Sequence, residues 1–120
     1  MLTQRHFEVC RDLSREMDPL SLQVQAVASG PDYFQSVYFT FGESQALHVV
    51  HHRCVKAFEI ERPFFPHLSL VYGRFEQETR RVLCQRVTIP SQTLTFDRLQ
   101  VWAPDPVKGW EDVALWRKLA

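Results

Sequence analysis

His67 and Ser69 stand two places apart in Pro66-His67-Leu68-Ser69-Leu70-Val71-Tyr72-Gly73, a pairing suited to proton transfer and phosphate contact. An imidazole, with an ordinary pKa near 6.5, can take up and release a proton close to neutral pH. A serine hydroxyl can donate to a phosphoryl oxygen without bringing a competing charge. Side chains alternate along a strand, so His67, Ser69 and Val71 are expected on one face and Leu68 and Leu70 on the other. Two positions span about 6.6–6.8 Å, which lets the two groups reach opposite oxygens of one phosphate. By itself His-x-Ser is a weak signal, and on spacing alone a polar strand face with a hydrogen-bonded histidine explains it better.

Other groupings are less specific. His48 and His52 lie four apart and could share a metal ion on a helix, but no acidic residue completes a metal motif. With His51 they fall opposite an apolar stripe, as a solvated face does. Arg80, Arg81 and Arg86 could form a basic patch for RNA, although Glu76 and Glu78 beside them favour a solvated helix face. Trp116 reads as packing near the terminus, while Trp102 and Trp110 flank a loop and are open candidates for stacking a base. Cys10, Cys54 and Cys84 are odd in number and have no metal-ligand spacing. They read as reduced thiols on the apolar sides of helices in a cytoplasmic protein.

The elements that must position these groups follow from apolar periodicity. Phe7, Cys10, Leu13 and Met17 predict a helix from Thr3, its N-cap, to Met17. Leu20 to Ala28 predicts one strand with Leu22, Val24, Ala26 and Ala28 on a single face, ended by Gly30 and Pro31. Tyr33 to Phe41 predicts a second strand, with Val37, Phe39 and Phe41 on one side and Ser36, Tyr38 and Thr40 on the other. A helix over 43–58 carries Leu47, Val50, Cys54 and Phe58 inward. His67 to Tyr72 is a short strand, and Phe75 to Val87 a third helix with Val82, Leu83 and Val87 inward and Arg80, Arg81 and Arg86 outward. Gln92 to Trp102 reads as a strand whose apolar phase shifts near Asp97, as a β-bulge would make it. A loop over 103–109 leads to a last strand, Trp110 to Arg117. The sum is an α+β domain with a largely antiparallel sheet and helices packed on it.

Pro66 to Gly73 resembles the second His-x-Ser/Thr motif of the two-histidine phosphoesterases, in particular the cyclic phosphodiesterase branch. Asp32-Tyr33-Phe34-Gln35-Ser36-Val37-Tyr38 is similar to the aromatic strand before that motif, and the helix over 48–58 follows as expected. Leu94 to Leu99 and Trp110-Glu111-Asp112-Val113-Ala114-Leu115 resemble the branch's closing strands. The resemblance implies a two-lobed fold and metal-free, cofactor-free hydrolysis of a 2′,3′-cyclic nucleotide, ADP-ribose 1″,2″-cyclic phosphate or an RNA end. It gives His67 and Ser69 catalytic roles and makes Tyr72 a substrate-lining aromatic. The family's earlier His-x-Thr/Ser motif has no counterpart: His6, His48, His51 and His52 are followed two places on by Glu8, Val50, Arg53 and Cys54. The chain thus resembles the C-terminal two-thirds of a member, and 1–120 is expected to be one N-terminally incomplete domain.

With 120 residues, 45% of them hydrophobic and 23% charged, the chain suits a single soluble domain. Fourteen basic residues balance fourteen acidic ones, so a phosphate ligand must be held by local groups. No apolar run is long enough to span a bilayer, and the opening residues lack the apolar core of a signal peptide. Three kinds of function remain open. They are a cyclic phosphodiesterase, an inactive binder of nucleotide phosphate, and an interaction domain that forms a homodimer through an uncovered sheet edge.

Overall fold

The computed structural model describes residues 4–59 and 63–119. They form an α+β fold of helices and antiparallel strands, divided into two compact units. One unit combines residues 1–20, 45–63 and 96–120, and the other combines residues 21–44 and 64–95.

The second unit carries His67. Its sheet has the order β2-β3-β4, formed by Val24–Ser29, Val37–Phe41 and His67–Val71, with both pairings antiparallel. β3 is rich in β-branched and aromatic residues, and it buries Val37 and Phe39. The helix α3 (Gln77–Arg86) packs on β2 and β3. Val82, Leu83 and Val87 are sheltered as expected. Arg80, expected outward, is half-buried, and its Nε is buried with no partner among the described residues.

The expected strand Leu20 to Ala28 is two strands, β1 (Leu20–Leu22) and β2, with exposed Gln23 between them. The Gln23 carbonyl accepts the Gly42 N–H at 3.0 Å. A register shift at Gln25 then sets Val24 opposite Phe41 and Val27 opposite Phe39, while Ala26 and Ala28 oppose Thr40 and Tyr38. The alanines therefore do not share a face with Val24. The shift keeps both valines on the phenylalanine side, where they remove more apolar area from water. β1 pairs with β5 (Leu94–Phe96) in a separate ladder.

The expected strand from Tyr33 starts only at Val37, because Tyr33–Gln35 is a 3-10 turn. Ser36 is fully buried and explains the change. Its hydroxyl lies 3.2 Å from the Asp32 carbonyl and 3.0 Å from that of Tyr33, and it also reaches the Gly73 carbonyl. A buried hydroxyl with several local acceptors competes well with a ladder.

In the first unit, α1 (Gln4–Glu16) buries Cys10 and Leu13, and the proposed cap Thr3 lies outside the described residues. α2 (Gln45–Phe58) packs on α1 and turns Leu47, Val50, Cys54 and Phe58 away from water. His6 stacks on Phe58 at 5.6 Å, and Arg53 pairs with Glu16 at 2.5 Å. The expected strand Gln92 to Trp102 ends at Phe96, so Asp97 begins an irregular segment instead of occupying a bulge. There Asp97 and Arg98 pair with each other, and the Leu99 N–H donates to the Ser14 hydroxyl at 3.0 Å. Trp110 to Arg117 is likewise no strand. It contains a 3-10 turn, Val113–Leu115, before β7 (Arg117–Lys118) pairs antiparallel with β6 (Trp102–Ala103).

Candidate functional site

His67 opens β4 directly after Pro66, and its ring orientation is fixed locally. Nδ1 lies 2.8 Å from the Phe65 carbonyl oxygen. A carbonyl only accepts, so Nδ1 carries the proton and donates it. In the neutral ring Nε2 is then the lone-pair nitrogen, as a general base requires. The ring meets Tyr38 edge-on at 5.6 Å and leans on Phe65 at 5.2 Å, and those two aromatics meet at 5.5 Å.

Ser69 and His67 lie opposite Tyr38 and Thr40 of β3, which puts all four on one sheet face. Val71 departs from that face. It pairs with Val37, whereas Ser69 pairs with Tyr38, so Leu70 is an extra residue in β4. This bulge reverses the alternation and moves Val71 to the Val37–Phe39 side. Strict alternation would turn Tyr72 away from His67, but Tyr72 lies just past the bulge and beyond the end of β4. Its ring stacks on Tyr33 at 6.2 Å and meets Phe34 edge-on at 5.2 Å. The Ser69 hydroxyl donates to the Phe34 carbonyl at 2.5 Å. Its lone pairs can still accept, but it must turn away from Phe34 before it can donate to a phosphate.

Three contributors were not legible as site residues. Arg74 sets its guanidinium 5.4 Å from the centre of the Tyr33 ring, the ring on which Tyr72 also stacks. Tyr38 and Phe65 frame the imidazole. The aromatic runs 33–41 and 64–65 were visible as composition, but the contact of Tyr38 with His67 depends on pairing between distant strands. Phe65 and Tyr72 are both exposed, so aromatic surface is open to water beside the His67 imidazole and again beside Tyr33 and Phe34. His67 is the single histidine of its unit.

The competing groupings dissolve or stay separate. His48, His51 and His52 line a shallow hollow of about 470 Å³ on α2. Among the described residues no three His, Cys, Asp or Glu side chains gather to hold a metal ion. Arg81 is spent on Glu78, its Nε donating at 2.9 Å, and with Arg80 half-buried the arginines form no open array. Trp116 donates to the Trp110 carbonyl at 2.9 Å and meets that ring edge-on, which fits its packing role, whereas Trp102 and Trp110 remain exposed. All three thiols are free. Burial pushes Cys10 and Cys54 above the ordinary thiol range, against the pull of Arg11 and Arg53.

No protein-family model and no curated protein matches the chain. Among the described residues no helix is long and apolar enough to cross a membrane.

Proposed function

We propose that this chain is a cyclic phosphodiesterase-like protein of the two-histidine kind, acting on a 2′,3′-cyclic nucleotide, ADP-ribose 1″,2″-cyclic phosphate or an RNA end carrying such a phosphate. The observation that carries the reading is the tautomer of His67: Nδ1–H is tied to the Phe65 carbonyl, which leaves Nε2 able to take a proton. In the proposed role Nε2 removes a proton from the attacking water or, once protonated, returns one to the leaving ribose oxygen. Ser69 would steady the phosphoryl oxygens after leaving Phe34, and Tyr72 would stack the base beside Tyr33 and Arg74. The three free thiols fit a reducing, cytoplasmic setting.

One imidazole performs one proton transfer at a time, and hydrolysis needs two. β4 is an outer strand of its sheet, so two copies paired along this edge would supply a second His67. The single imidazole and the engaged Ser69 hydroxyl favour a second reading, a binder of nucleotide phosphate without turnover.

Turnover of 2′,3′-cyclic AMP without added metal distinguishes the two. Wild type is expected to hydrolyse it, with His67→Ala slower by about 10²–10⁴-fold. Activity that survives in His67→Ala would sink the assigned role. Binding without turnover in wild type would establish the second reading.

A further inference from the structure

A second feature of the same unit lies away from His67. A groove of about 780 Å³ runs between Val27–Ser29 of β2 and one face of α3 that includes Gln77, Arg81, Cys84 and Gln85. Successive strand residues point to opposite faces, so a hollow that touches three in a row lies along the strand's outer edge. β2 is indeed outermost in the order β2-β3-β4, and every second residue there turns its N–H and C=O away from β3. Over Val24–Ser29 the strand contains neither proline nor a charged residue, and its bulge at Gln25 lies before the three residues that meet the groove.

We propose that this groove docks an extended peptide segment bearing lysine or arginine, which adds to β2 as a further strand. A strand edge beside a helix is a setting in which peptides bind through main-chain hydrogen bonds, with side-chain pockets setting specificity. From Glu76 to Gln85 the helix wall runs nine positions, about 13 Å at its rise, which spans roughly four residues of extended chain. The charges select the partner. The Glu78 carboxylate is already hydrogen-bonded to Arg81, which also holds it below the ordinary carboxylate range. Exposed Glu76 is the anion left at the groove, and an anionic ligand would find Arg81 already engaged. Val27 and Cys84 provide the apolar ground for an uncharged neighbouring residue. A second copy pairing through β2 would bring no cation to Glu76, because no lysine or arginine occurs between Met17 and His52.

The test uses the intact chain and a soluble fluorescent octapeptide of alternating valine, threonine and lysine. Saturable binding is expected, with amide NMR shifts concentrated at Val27, Ala28, Ser29 and the α3 face. Methylating alternate peptide nitrogens is expected to weaken binding at least about tenfold, since several net hydrogen bonds are lost. Replacing the lysines by glutamate should weaken it comparably, and Glu76→Gln should weaken it by roughly threefold, as an exposed pair allows. Gln85→Trp, which fills the groove from an exposed position, should abolish binding while the rest of the amide spectrum persists. Equal binding by the methylated peptide, shifts centred elsewhere, or no binding at about millimolar peptide would overturn the proposal. Concentration-dependent shifts at β2 without peptide would also overturn it, in favour of a second copy.

Discussion

Single residues hold the Val37–Val71 end of the β3–β4 pair, and two of them make sharp predictions. The Ser36 hydroxyl is fully buried among the carbonyls of Asp32, Tyr33 and Gly73. Ser36→Ala should cost about 1–3 kcal/mol in denaturant unfolding, since buried acceptors lose their donor. Gly73 sits at φ 151°, and a Cβ there would come within 2.7 Å of the Phe75 ring. Gly73→Ala should therefore destabilise the protein and shift the Tyr72 ring resonances, because both the backbone and Phe75 must give way. At this scale the expected shared strand face of His67 and Ser69 is what the structure has, since both belong to one short segment. It did not show the Phe65 carbonyl as the partner of Nδ1, because main-chain acceptors have no signature in side-chain type. Arg74 was hidden for another reason: its contact depends on the turn that brings residues 33 and 74 together.

Elements were legible where one period governs them. α1, α2 and α3 each follow an apolar stripe, and their bounds fall close to the periodic residues. Strands were legible as apolar runs, but their facing was not, because it rests on irregularities. The shifts at Gln25 and Leu70 reassign Ala26, Ala28 and Val71, and neither residue type signals a bulge. The C-terminal segment was misread for a related reason, since its apolar residues serve turns as well as strands. One of those turns is well defined: the Asp105 carboxylate accepts from the Val107 and Lys108 N–H groups at 2.9 and 2.8 Å, between β6 and β7. Those bonds hold the Asp105 carboxyl below the ordinary carboxylate range. Its depressed value means that the turn gains from the charged form, and that gain fades as the pH falls through the folded value. An NMR titration should show the Val107 and Lys108 amides moving together, with a midpoint below about 3.9. A midpoint at the ordinary value would refute the bond.

For the molecule as a whole, burial of Cys10 and Cys54 sets a limit on the alkaline side. Both thiols are raised by desolvation, so the folded chain holds their protons more tightly than the unfolded chain does. Their contribution is intact below the ordinary thiol range and declines as the pH climbs through the raised values. Urea midpoints should therefore fall above about pH 9, and Cys10→Ala with Cys54→Ala should flatten that fall. In the core, Phe39→Ala should cost about 3–5 kcal/mol and leave no well-packed sheet beneath His67. The two compact units also cross in sequence: the chain passes between them four times, at 20/21, 44/45, 63/64 and 95/96. Neither unit is one uninterrupted stretch of the chain. A single cut in the chain therefore cannot release one unit and leave the other whole.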